Sequence, residues 1–192
     1  MEALCWQTSS LTPLTDFTKK ANMSTKAKIS KLTAVTLVAI ALLLCCVGCK
    51  VPTGSQVGQK ATDFTLSTTA GAKIHLRDLE GKPVMISFWT TRCGYCIYQM
   101  QFLQDAQAEL KDKIVFIEID IAEDSTTVKQ CIDSHNFSLP VVLDSDSATA
   151  TAYNIMYTPT NIIIDSNGII KDIRTGAFLN KDTVLAALSD VQ

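Results

Sequence analysis

Cys93-Gly94-Tyr95-Cys96 places two thiols three residues apart. The apolar run Pro83–Trp89 precedes them and reads as a buried strand, and Ile97, Met100, Leu103, Ala106 and Leu110 follow at helical spacing. Both sulfurs therefore fall on the first turn of a helix, where unpaired backbone N–H groups and the helix dipole favour a thiolate. A thiolate attacks disulfides and a thiol does not, so the local chemistry points to thiol–disulfide exchange. Two other uses of such a pair fit less well. A zinc site needs four ligands, and Cys131, His75 and His135 are scattered without ligand spacing. A structural bridge usually closes a long loop, and this one closes almost none.

The elements that must position the pair alternate from Ala61 onward. Short strands are expected at Asp63–Leu66 and Lys73–Leu76 around a turn at Gly71. Pro83–Trp89 is apolar throughout, as a strand covered on both faces requires. A helix over 94–111 leads to a second buried strand, Ile114–Asp120. Ser125–His135 reads as a helix with Ser125 as N-cap. Then come a strand at Leu139–Leu143, a helix at Ala148–Tyr153, and strands Asn161–Asp165 and Ile169–Thr175. Those last two strands flank the hairpin turn Asp165-Ser166-Asn167-Gly168. A final helix covers Asn180–Ser189. The pattern predicts an α/β fold, a mixed central sheet with helices on both faces and right-handed crossovers.

The chain has 192 residues, 47% of them hydrophobic, enough for one domain with a sizeable core plus an extension. Its formal charge of −2 hides an asymmetry: five Lys against Glu2 and Asp16 precede Cys49, and the remainder is net acidic. An acidic globular part argues against nucleic acid as a partner. Lys19, Lys20, Lys26, Lys28 and Lys31 precede an apolar run from Leu32 to Gly48, the layout of an export signal or membrane anchor. The small residues before Cys49 resemble a bacterial lipobox, with Cys49 acylated; Cys46 is a second candidate, and an uncleaved anchor helix is the competing reading. Each places the globular part on the outer face of the cytoplasmic membrane. Residues 1–22 read as a disordered tail or a misassigned start, since Met23 opens a compact basic region. Residues 23–49 form the signal or anchor, 50–60 (with Pro52, Gly54, Ser55 and Gly58) a tether, and 61–192 the folded domain.

Phe88-Trp89-Thr90-Thr91-Arg92-Cys93-Gly94-Tyr95-Cys96 resembles the active-site segment of the thioredoxin superfamily. Tyr157-Thr158-Pro159-Thr160-Asn161 resembles its second signature, where a cis-proline faces the two cysteines. The 114–143 section and the lead-in Asp63-Phe64-Thr65-Leu66 are similar to the TlpA/ResA-like membrane-tethered branch; the likeness covers about 57–192. It implies that Cys93 is the attacking thiol and Cys96 the more buried resolving one. Trp89, Gly94, Tyr95, Thr158 and Pro159 then support the site and the bound peptide, and the dithiol itself is the redox group, with no further cofactor. The implied partners are protein disulfides, the CxxCH cysteines of apocytochrome c among them, and a membrane-bound thiol electron donor.

Three positions depart from the pattern. Ser87 stands where thioredoxin carries a buried Asp, and Gln99 where the TlpA/ResA branch often carries Glu. Both remove a proton acceptor for Cys96. Arg92 replaces the usual Trp; it either turns inward to favour the Cys93 thiolate or points to water. Two rival functions fit the residues less well. A peroxiredoxin-like thiol peroxidase would use Thr90, three residues before Cys93, but has Ile86 where a Pro is needed. A Sco-like copper-binding protein would need wider cysteine spacing and a His near the proline loop. Cys131 is expected to be a buried structural thiol, His75 and His135 to lie on the surface or in loops, and Asp144, Asp146 and Asp165 to lie in turns.

Overall fold

A computed structural model describes residues 51–191. The expectations for 1–22, for the export or anchor segment 23–49 and for lipidation at Cys49 lie outside the described residues. In chain order the elements are β1 (Thr53–Gly54), β2 (Lys60–Ala61), β3 (Thr65–Thr68), β4 (Lys73–His75), β5 (Val84–Trp89) and helix α1 (Gly94–Leu110). There follow β6 (Val115–Ile121), α2 (Ser125–His135), β7 (Val141–Asp144), α3 (Ala148–Ala152), β8 (Thr160–Ile164), β9 (Ile170–Thr175) and α4 (Lys181–Leu188).

The main sheet has the order β4-β3-β7-β6-β5-β8-β9. β5, β6 and β7 run parallel, and β8, β9, β3 and β4 each join antiparallel. All six residues of β5 are buried, which explains its unbroken apolar sequence. Alternation along β5 sends Met85 and Trp89 to one face and Val84, Ile86 and Phe88 to the other. Because β5, β6 and β7 follow one another across the sheet, both right-handed crossovers put α1 and α2 on the same face. There Met100, Leu103 and Ala106 of α1 meet Val128 of α2 and Val184 and Leu188 of α4. Ala150 of α3, with Tyr153 just past its end, packs on the opposite face beside Phe88. Helices thus cover both faces.

The boundaries shift by a residue or two from expectation. β3 begins at Thr65 because Asp63 is engaged elsewhere: its carboxylate accepts from the Arg77 N–H (3.2 Å) and pairs with the guanidinium (3.0 Å). Asp124, not Ser125, caps α2, accepting from the amides of Thr126 (2.9 Å) and Thr127 (3.0 Å). The Asp165–Gly168 turn forms as expected, with Gly168 at φ +79 and the Asp165 carboxylate accepting from the Asn167 and Ile169 amides at 2.9 Å each.

The tether expected over 50–60 needs correction. From Thr53 the segment folds onto the hairpin. The Gly58 N–H donates to the Ile170 carbonyl (2.8 Å), the Ile170 N–H returns to Gln59 (2.9 Å), and the Ala61 N–H donates to Gly168 (2.8 Å). β9 is an edge strand whose backbone groups would otherwise be unpaired, and this stretch satisfies its first residues.

Asn180 caps α4, accepting from the Thr183 amide at 2.9 Å. Asn180→Ala is expected to cost about 1 kcal/mol of domain stability. A urea midpoint equal to that of the unaltered chain would remove this cap from the account.

Candidate active site

β5 ends at Trp89, and the chain turns through Thr90-Thr91-Arg92 into α1. Cys93 is the N-cap of that helix. Its sulfur faces the Cys96 amide (3.2 Å), and its carbonyl accepts from the amides of Cys96 (3.0 Å) and Ile97 (3.1 Å). Those N–H groups are the donors a Cys93 thiolate would use. The two cysteines form a disulfide with their Cα atoms 5.2 Å apart. Cys93 is half-buried, whereas Cys96 is fully buried in the core beneath α1. One sulfur is open to a visitor and the other is not.

Large apolar side chains are exposed in the segments that carry the dithiol and the proline loop. Tyr95 and Tyr157 are each 72% exposed, Met156 79% and Leu179 63%. Tyr95, Thr158, Pro159 and Leu179 border a depression of about 230 Å³, room for one or two side chains. The Thr158–Pro159 bond is cis, as the resemblance implied. Trp89 is buried in the same cluster as Cys96. Gly94 is exposed, with open space where a Cβ would lie.

Below α1 lies a polar layer. Gln99 donates through Nε2 to Ser87 Oγ (2.8 Å) and to Asn161 Oδ1 (3.1 Å), and its Oε1 accepts from Asn161 (3.2 Å) and from the Phe178 amide (3.2 Å). Gln99 therefore locks α1 to β5, β8 and the segment before α4. The β5–β6 register sets Glu118 beside Ser87 and Asp120 beside Trp89. Both carboxyls are buried, with Glu118 1% and Asp120 0% exposed. Burial pushes Glu118 up to about 8, against the pull of the Ser87 hydroxyl. Burial, and then the neighbouring Glu123, push Asp120 up to about 8 as well. Glu118 Oε2, both Asp120 oxygens and Trp89 Nε1 find no hydrogen-bond partner among the described residues.

Glu123 holds the loop before Cys93. Its carboxylate accepts from the Thr91 amide (2.6 Å) and hydroxyl (2.8 Å) and lies 3.7 Å from Arg92. Burial opposes its ionisation, but the bonds from Thr91 and the charge of Arg92 outweigh it and hold the carboxyl below the usual range. Arg92 is 86% exposed, so of its two expected orientations the outward one is found. Sequence reasoning missed all three acids. The signal was present: Glu118 and Asp120 alternate within a strand that was already read as buried, which puts both side chains on one covered face.

The other flagged residues lie apart. Cys131 is half-buried rather than buried, because α2 sinks only Val128 fully into the core. Burial, Glu123 and Asp120 in that order push its thiol up. His135 is exposed and stacks on Phe137; His75 is exposed on β4 and bonded to Thr65 (2.8 Å). Asp144 is buried at the end of β7 and accepts from the Thr149 and Ala150 amides of α3.

The strand order, the dithiol pair at the start of α1 and the neighbouring cis-proline define the class: a thioredoxin-like thiol–disulfide oxidoreductase. Residues 57–173 match the model of the AhpC/TSA family, and the chain belongs to that family. A thioredoxin-like protein, YneN, of Bacillus subtilis (strain 168) is 34% identical over 132 residues, 67% of this chain and 77% of that protein. A thiol-disulfide oxidoreductase, ResA, of Halalkalibacterium halodurans is 33% identical over 123 residues, 64% of this chain and 70% of its own. A secreted Mycobacterium tuberculosis disulfide oxidoreductase superposes with a TM-score of 0.61 at 22% identity, covering 66% of this chain and 95% of that one. The last likeness concerns the fold.

Proposed function

We propose that this oxidoreductase works as a reductant of protein disulfides at the outer face of the cytoplasmic membrane. The observation that carries the reading is the contrast between the two sulfurs. Cys93 caps α1 half-exposed, and Cys96, one turn on, lies buried. In this scheme Cys93 is the nucleophile. Its thiolate attacks a client disulfide, one client sulfur leaves as a thiolate, and a mixed disulfide remains on Cys93. Cys96 then attacks Cys93 Sγ, the second client sulfur leaves, and the Cys93–Cys96 disulfide closes. Two electrons pass to the client, and a membrane-bound thiol donor restores the dithiol.

Tyr95, Thr158 and Pro159 receive the client backbone and one neighbouring side chain in the depression they border. The chain is tethered through 32–48 or through a lipid on Cys49. The CxxCH disulfide of apocytochrome c is the proposed client, from the likeness to the TlpA/ResA-like branch; the relatives named thiol-disulfide oxidoreductase ResA, at 29–36% identity, support disulfide exchange itself. The peroxidase alternative gains nothing from the geometry, since Ile86 packs on the sheet face opposite Cys96.

The test compares disulfide-closed CxxCH peptide with oxidised glutathione as substrates of the reduced chain. A kcat/KM for the peptide at least about tenfold higher is expected, from the apolar surface the peptide covers. Equal values would exclude the client assignment, and net oxidation of a CxxCH dithiol by the disulfide form would reverse the direction.

A further inference from the structure

The helix that carries the dithiol has a second stripe. Its core side runs through Met100, Leu103, Ala106 and Leu110. Beside that, Tyr95, Tyr98, Phe102, Asp105 and Glu109 recur at intervals of three and four residues and so share one face. Four of the five are exposed and Phe102 is half-buried. The stripe begins between the two cysteines and, at 1.5 Å per residue, ends roughly 21 Å along the helix axis. Its character changes on the way, from aromatic to acidic. The acids fall in the C-terminal half of α1, the end at which the helix dipole disfavours negative charge. Helix formation therefore does not account for them.

A groove follows the stripe. The cleft between α1 and the start of α4 has a volume of about 640 Å³, with Phe102, Asp105 and Glu109 on one side and Lys181 and Asp182 on the other. It continues from the depression beside Pro159. Leu179 borders that depression, Tyr98 Oη lies 3.5 Å from the Leu179 carbonyl oxygen, and the Tyr98 ring packs edge-on against Phe102 at 5.1 Å. The far end of the groove is net negative. Lys181 pairs with Glu109 at 2.7 Å, which leaves Asp105 and Asp182 without a cationic partner of their own among the described residues. The hydrogen bond and charge of Glu109, then the charges of Asp182 and Asp105, push the Lys181 ammonium up, so all three acids act on one place.

We propose that the groove between α1 and α4 is an extended client subsite, which takes the polypeptide leading away from the attacked disulfide and selects a lysine or arginine about five to six residues from the client cysteine. The inference rests on the reading of Cys93 as the thiol that attacks a client disulfide. The spacing follows from the helix. Asp105 and Glu109 lie about 15 and 21 Å beyond Tyr95, and an extended client advances about 3.3 Å per residue. The client residue next to its cysteine fills the depression, the following ones cross Tyr98 and Phe102, and the cation then meets Asp105 and Asp182. Aromatic faces also attract a passing cation. A second copy of this chain fits the groove less well, because a two-fold pairing through this face would bring like charges together. Exposed ion pairs are individually weak and screened by salt, so the subsite acts as a preference among clients.

The experiment uses the full chain in its reduced form and disulfide-closed CxxCH peptides, each extended by a flexible arm on one side or the other. Two lysines or two glutamates occupy the fifth and sixth positions of the arm, counted from the nearer cysteine. On the side that enters the groove, kcat/KM should be at least about fivefold higher with lysine than with glutamate, and roughly 0.5 M salt should bring the ratio close to one. Asp105→Lys should invert the preference. The ratio is taken within each chain, so a general loss of activity or of folded protein leaves it readable. Equal kcat/KM for the two peptides on both sides, or a ratio that Asp105→Lys leaves unchanged, overturns the proposal. Failure of the client-reducing reading shows separately, as no reduction of any peptide. Binding then reads the groove: a lysine peptide with serine in place of both cysteines, added to the disulfide form, should shift the backbone amides of 102–109 and 181–182 in NMR spectra. A glutamate peptide that shifts them equally overturns the proposal. Shifts that follow the concentration of the chain itself, with no response to peptide, place a second copy in the groove and overturn it too.

Discussion

A chain carrying Cys93→Ala is expected to reduce insulin disulfides no faster than dithiothreitol alone, a loss on the order of 10³-fold or more. The other sulfur of the pair, Cys96, is 0% exposed and cannot reach a client. Cys96→Ala should behave differently. The exposed thiol still attacks, but nothing resolves the adduct, so the chain accumulates as a mixed disulfide with its client. Intact mass would show one client per chain, released by excess dithiothreitol. Multiple turnover by Cys96→Ala, or an adduct on Cys131, would contradict the assigned division of labour.

The second large effect is on stability. Glu118 and Asp120, whose ordinary values are 4.5 and 3.8, are both pushed up to about 8 in the folded chain, by burial first. For an acid whose folded value is raised, the native state keeps a proton that the unfolded chain releases. The stability linked to these groups is therefore complete below about pH 4 and falls as pH rises toward 8. Each group contributes a slope of up to about 1.4 kcal/mol per pH unit within that window. Glu123, held below its usual range, acts at more acid pH and does not offset the loss. Urea unfolding of the disulfide form should thus show stability dropping from pH 5 to pH 8. Glu118→Gln should remove a large part of that drop and leave the chain more stable than the unaltered one at pH 8. A flat profile in the unaltered chain would show that the two carboxyls ionise freely.

Elements with strong periodicity were legible in the sequence. The six buried residues of β5 and the stripe of Met100, Leu103, Ala106 and Leu110 on α1 carry their own pattern, and the hairpin turn is written in Asp165 and Gly168. The CxxC pair and the cis-proline were legible as motifs. What failed depends on tertiary partners. The segment from Thr53 to Lys60 looks like a linker because its order comes from backbone pairing with Gly168 and Ile170, which side-chain patterns do not encode. The α2 cap fell to Asp124 because two oxygens serve two amides and the Thr127 hydroxyl (2.6 Å) at once, which one hydroxyl of Ser125 cannot match. Gln99 reads in the sequence as a missing acid, whereas its role as a lock needs Asn161 and the Phe178 amide, 62 and 79 residues away. Glu118 sits across from Ser87 on the neighbouring strand, a pairing that register alone reveals.

The most direct test of the central claim is redox equilibration of the full chain in glutathione buffers, trapped by thiol alkylation and read by mass. The account predicts one two-electron transition in which Cys93 and Cys96 gain label together, with a midpoint between about −270 and −120 mV and Cys131 labelled independently of it. A pair that stays closed throughout that range, or two cysteines that take up label separately, would contradict it.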